Sequence, residues 1–164
     1  QENIMANSTF NGPIRSENGF KNIVKSSTTG AVTSTMTLET YTATITVANG
    51  ATTGKESAVG IPSNFIPMGV TVAVTTASTN SVNLNDIGTD ADTDGYVDGI
   101  SAALNTTGFK GFFGCNGVLG MSGFTTGASG LVGDEVELVV SGDPGSDTVI
   151  VLKFFGISSS SDAS

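Results

Sequence analysis

Gly60-Ile-Pro-Ser-Asn-Phe-Ile-Pro-Met-Gly-Val-Thr-Val-Ala-Val-Thr-Thr76 is the stretch whose reading decides the fold class. Val70, Val72 and Val74 fall on one face at period two, with Thr71, Ala73 and Thr75 on the other. That is the pattern of a strand with one strongly buried face. Pro62 and Pro67 lack a backbone donor and restrict the residues before them, so the approach reads as a turn and the strand as starting near Gly69.

Outward from it, the same signal recurs. Residues 33–47, 58–61, 69–76, 81–87, 131–140 and 147–157 read as strands, and Asn49-Gly50 and Thr53-Gly54 read as turns. Ile100–Leu104 suits one helical turn or a strand. Residues 131–140 and 147–157 read as a hairpin joined through Ser141-Gly-Asp-Pro-Gly145. In its first strand Val136, Leu138 and Val140 face together, while Glu135 and Glu137 turn to solvent. In its second, Ile150, Leu152 and Phe154 oppose Val149, Val151 and Phe155, so both faces are apolar and one needs a cover beyond the core. Val70, Val72, Val74, Val136, Leu138, Ile150 and Leu152 are the expected core. The fold class is all-β: an antiparallel β-sandwich or jelly-roll-like barrel with an extended N-terminal arm. Its parts are an arm over 1–29, a β domain over 30–157 and a polar tail over 158–164. An immunoglobulin domain gets no support from a chain with one cysteine and no tryptophan.

In the arm, Phe10, Ile14, Phe20, Ile23 and Val24 are too apolar for a free tail and too irregularly spaced for a lone element. Arg15, Lys21 and Lys25 make it the least acidic part of the chain, suited to an acidic neighbour. An ordinary N-terminal strand pair is the alternative. From Phe109 to Phe124, glycines at 108, 111, 114, 117, 120 and 123 separate Phe112, Phe113, Val118, Leu119, Met121 and Phe124. This run reads as an irregular apolar loop that seals the core or a seam between subunits. Phe112, Phe113, Val149, Val151 and Phe155 are therefore the candidate subunit interface.

Composition narrows the chemistry. The 164 residues hold 6 Lys and Arg against 15 Asp and Glu, a net charge of −9 that disfavours nucleic acid and anionic membranes as partners. The absence of histidine removes the commonest general base and transition-metal ligand. Cys115 is the only cysteine and reads as a packed thiol. No phosphate loop and no catalytic constellation is present, so the chain reads as a non-enzyme.

Asp90-Ala-Asp-Thr-Asp-Gly-Tyr-Val-Asp98 is the one chemically specific motif. Asp90, Asp92, Asp94 and Asp98 stand at relative positions one, three, five and nine of an oxygen-ligated calcium loop, glycine is at six, and Tyr96 would offer its carbonyl at seven. Ser101 occupies position twelve, where a bidentate glutamate would stand in a helix–loop–helix site. A solvated acidic turn is the default reading, and calcium the alternative cofactor.

Met5-Ala-Asn-Ser-Thr-Phe-Asn-Gly-Pro-Ile-Arg-Ser-Glu-Asn-Gly-Phe20 resembles the opening of small virion structural proteins of tailed bacteriophages, especially marine phages. Ile61-Pro, Gly69–Thr76, Ile87-Gly-Thr-Asp-Ala-Asp-Thr-Asp-Gly-Tyr-Val-Asp-Gly99 and Val149-Ile-Val-Leu-Lys-Phe-Phe155 resemble a β domain of phage capsid-surface and tail-associated proteins. The resemblance implies a non-enzymatic virion component on the capsid surface, a decoration or cement protein. It also implies a homo-oligomer, which we expect to be a trimer, with the major capsid protein or other virion proteins as partners. A carbohydrate- or host-surface-binding module of a phage fibre or tail is the alternative function.

Overall fold

The computed structural model describes residues 21–56, 61, 65–115 and 135–160. Among the described residues nine strands are formed: β1 (Lys21–Lys25), β2 (Val32–Val47), β3 (Thr53–Lys55), β4 (Phe65–Thr76), β5 (Asn83–Thr89), β6 (Ala102–Ala103), β7 (Gly108–Gly114), β8 (Val136–Val140) and β9 (Thr148–Ser160). They make a five-stranded sheet in the order β1-β2-β9-β4-β7 and a four-stranded sheet in the order β3-β8-β5-β6. Every pairing is antiparallel. The chain is all-β and sandwich-like.

Alternation decides what lies between the sheets. Ala43, Ile45 and Val47 of β2, Ile150, Leu152 and Phe154 of β9, and Val70, Val72 and Val74 of β4 all turn inward from the larger sheet. Val136, Leu138 and Val140 of β8 with Leu84 and Ile87 of β5 meet them from the smaller one, in one continuous core. All seven residues expected in the core are buried there. Phe154 anchors one end, with the Tyr41 ring at 6.4 Å and the Tyr96 ring edge-on at 5.4 Å.

Several expectations are corrected. Residues 136–140 and 148–157 are not a hairpin: β8 pairs with β3 and β5, whereas β9 pairs with β2 and β4. The Ser141–Asp147 link instead passes from sheet to sheet, so the apolar rows of β8 and β9 meet face to face across the core. The link is tied down by Asp143 Oδ1, which accepts from the Gly50 and Gly145 amides at 2.8 and 2.7 Å, and by Asp147 Oδ1, which accepts from the Asn49 amide at 2.9 Å. β4 begins at Phe65 rather than near Gly69, because Pro67 sits beside a register shift against β9, and pairing to β7 starts only at Gly69. Thr53-Gly54, read as a turn, belongs to β3. Residues 108–114, read as an irregular loop, form the edge strand β7, whose Gly108 and Gly111 take φ of 111° and 150°. The expected strand at 58–61 falls mostly outside the described residues, and so do 116–124 of the apolar loop.

Candidate functional site: the outer face of the larger sheet

The outer face of the larger sheet changes character across its width. β2 supplies threonines: Thr40, Thr42, Thr44 and Thr46 are exposed. The register then carries the rows of Thr40 and Thr44 onto apolar groups, whereas Thr42 pairs with the exposed Lys153 and through it with Thr71. Thr40 pairs with Phe155, Thr44 with Val151 and then Ala73 and Phe109, and Thr71 with Phe112. Leu38 (73% exposed), Met68 (58%), Phe109 (69%) and Phe112 (60%) stand open to solvent, and Phe155 is 38% exposed. An open groove runs between these side chains, lined among others by Leu38, Glu39, Met68, Thr71, Phe112 and Phe155. The Phe112 and Phe155 rings meet edge to face at 6.1 Å.

The residues read as a subunit interface thus divide. Phe112, Val149, Val151 and Phe155 share the outer face, with the two valines half-buried. Phe113 lies opposite Val70 and packs against the core. Among the arm residues, Phe10, Ile14, Arg15 and Phe20 lie outside the described residues. Lys21, Ile23 and Val24 belong to β1, which pairs with β2 from Lys21 opposite Thr37. Cys115 is partly buried, and desolvation pushes its thiol up to about 12, away from nucleophilic use.

The acidic loop folds back onto the smaller sheet. The Ile87 amide donates to the Val97 carbonyl, and the Tyr96 and Val97 amides donate to the Ile87 carbonyl, each at 2.9 Å. The backbone of Asp92 and Thr93 lies so close over Gly88 that a Cβ there would overlap it. Asp90 forms an ion pair with Lys55 and a hydrogen bond with Glu137. Lys55 first and Glu137 second hold the Asp90 carboxyl below its ordinary range, while desolvation and then the Asp90 bond raise that of Glu137. A hydrogen bond to Asp94 raises Asp92. Asp98 is exposed, Tyr96 is buried against Phe154, and Asp86 accepts from the Gly99 amide at 3.0 Å. Asp90 is thus held by Lys55, and among the described residues no three acidic side chains converge as a metal-ligand set.

No protein-family model matches the chain, and no curated protein sequence matches it. A solved structure described as the cyanophage Pam1 capsid asymmetric unit contains a chain similar to this one. The two are 16% identical, the match covers 73% of this chain and 84% of that one, and the TM-score is 0.46.

Two buried carboxyls escaped the sequence reading. Glu137, expected to face solvent, is only 6% exposed because the acidic loop covers its side of the sheet. Glu56 is equally buried; Tyr41 Oη donates to its Oε1 at 2.8 Å, and its Oε2 has no partner. Desolvation raises the Glu56 carboxyl, with Glu135 adding to the rise and the Tyr41 bond opposing it. Burial first, and then the same contact, raises the Tyr41 phenol. An acid hidden by residues distant in sequence leaves no local signal.

Proposed function

We propose that the chain is a structural component of a bacteriophage virion, a capsid-surface decoration or cement protein that assembles with itself as a trimer and with the major capsid protein. The observation that carries this reading is the strand order. Apart from β1–β2 and β5–β6, consecutive strands lie in different sheets, and β2-β9-β4-β7 faces β3-β8-β5-β6. This is the wiring of an eight-stranded jelly roll with β1 added at one edge, an architecture used by viral capsid proteins, lectins and cupins. Fold alone does not select among these uses, so the surface must.

The surface favours assembly. The apolar outer row is large for a face meant to stay in water. The exposed rings of this face, Phe109, Phe112 and Phe155, carry no hydrogen-bonding group for a sugar hydroxyl, while Tyr96 is buried and Tyr41 is half-buried with its hydroxyl bonded to Glu56. The chain has neither histidine nor tryptophan. The sequence resemblance to phage virion proteins adds support. Peptide mass spectrometry of purified particles of the encoding phage, with labelled antibody imaging of intact heads, tests the reading. We expect stoichiometric copies on the capsid; absence from purified particles overturns the proposal.

A further inference from the structure

We infer that Asn49 is a modification site: the backbone nitrogen of Gly50 converts its side-chain amide to a carboxylate, at a rate that Asp143 sets by holding that nitrogen. Asn-Gly occurs at positions 11, 18, 49 and 116, and of these asparagines only Asn49 lies among the described residues. Asn49 and Gly50 are both exposed, so water reaches them, and glycine puts no side chain in the way of attack. In the reaction the Gly50 nitrogen bonds to Asn49 Cγ, the Cγ–Nδ2 bond breaks, and the proton from Gly50 leaves with Nδ2 as ammonia. Water then opens the ring that has formed. Breaking the bond between Cγ and the Gly50 nitrogen leaves aspartate, and breaking the main-chain bond leaves isoaspartate, which lengthens the turn by a methylene.

The fold holds this reaction back in two ways. The Ala51 amide donates to the Ala48 carbonyl at 3.0 Å, closing a turn with Asn49 and Gly50 at its centre. Gly50 takes φ of 82°, and Ser101 is the one non-glycine residue with positive φ among those described, so the turn is type II. The ψ of Asn49 in such a turn, about +120°, directs the Gly50 nitrogen away from the side-chain carbon that it must reach. Asp143 then fixes the nitrogen there, because the Gly50 amide donates to its Oδ1 at 2.8 Å. The Asn49 amide is tied to Asp147 Oδ1 at 2.9 Å, so attack requires the turn to come off the Ser141–Asp147 link. Before the reaction that opening is reversible. After it a third carboxylate stands beside Asp143 and Asp147, and like charges oppose the contacts that held the turn.

The test uses recombinant full-length protein incubated at mildly alkaline pH and does not depend on the virion role. Conversion of Asn49 is read as the mass gain of its peptide, with the aspartate and isoaspartate forms separated by chromatography. In the folded protein Asn49 is expected to react roughly ten-fold or more slowly than in the same protein unfolded in urea, since the rate follows the open fraction. Asp143→Ala is expected to raise the folded rate several-fold. Asp143→Asn keeps an acceptor oxygen for the Gly50 amide and is expected to restore most of the protection. Amide exchange at Gly50, followed in parallel, shows which variants free the nitrogen. The inference is overturned if folded and unfolded wild-type chains convert at the same rate. It is also overturned if Asp143→Ala or Asp143→Asn frees the Gly50 amide to exchange without speeding conversion, because Asp143 then does not guard the site.

Discussion

The ring of Phe112 lies across Gly69: a Cβ built on Gly69 would fall 2.7 Å from Cε2 of that ring and closer still to its Cζ. The missing side chain on β4 therefore lets an edge-strand phenylalanine lie flat over its neighbour and meet Phe155. Gly69→Ala is expected to cost about 1 kcal/mol by lifting the ring, and clearly less in a Phe112→Ala background, where only the 3.1 Å approach to the Phe113 carbonyl oxygen remains. Urea unfolding of the four proteins in this cycle measures the coupling; equal costs in both backgrounds sink the account.

Phe154 is fully buried between the Tyr41 and Tyr96 rings. Phe154→Ala is expected to lose about 3–5 kcal/mol, in contrast to about 0.5 kcal/mol or less for exposed Thr42→Ala on the opposite face. Denaturant midpoints compare the two directly. A loss below about 1 kcal/mol for Phe154→Ala contradicts the packing described.

Glu56 gives the pH dependence. Its folded pKa is raised, so the folded state holds the proton more tightly than the unfolded one. The resulting stabilisation is complete below the unfolded value of about 4.3 and is lost as pH rises through the folded value. Glu56→Gln keeps an acceptor for Tyr41 and removes the charge. The variant is expected to melt above the wild type at pH 8 and level with it near pH 4. A variant less stable than the wild type at pH 8 refutes this assignment.

Asp143 acts in the opposite direction. Two backbone amides, Gly145 first and Gly50 second, lower its pKa, so its stabilisation is present above the unfolded value and lost as pH falls through the folded one. Asp143→Ala is expected to destabilise the fold near neutrality, because two amides lose their acceptor in the link that carries the chain between sheets. Amide exchange at Gly50 and Gly145 reports it: unchanged protection in the variant rules the role out.

For the Asp90–Asp98 loop we expect the same melting temperature with chelator and with millimolar calcium, since Lys55 already neutralises Asp90 and no three carboxylates of the described residues converge on one point. Calorimetry with both additives checks this. A calcium-dependent rise would show that the pairs open to admit the ion.

Much of the architecture was legible because alternation is local. Val70, Val72 and Val74, or Ile150, Leu152 and Phe154, declare their faces within a few residues. Partner choice is not local: a polar link between two apolar strands looks alike whether the strands lie side by side or stack across a core, and so β8 and β9 were misread as a hairpin. Thr53-Gly54 was too short to register as a strand. Phe112 and Phe113 looked equivalent as sequence, but one residue of register sends the second into the core and leaves the first outside. The burial of Glu56 and Glu137 depends on covers from elsewhere in the chain, which no window around either residue contains.

The position of β9 between β2 and β4 fixes the order in which the larger sheet can be completed during synthesis. Glu39 and Ser158, joined by a 2.6 Å hydrogen bond, stand 119 positions apart. Until β9 leaves the ribosome, β2 and β4 each expose an unpaired edge beside valine- and isoleucine-rich rows, the form in which β chains mispair with one another. The native pairing is therefore a late, non-local event, and folding yield should depend on how quickly nascent copies meet. Slower expression at low temperature is expected to raise the soluble fraction without changing the stability of the molecules that succeed.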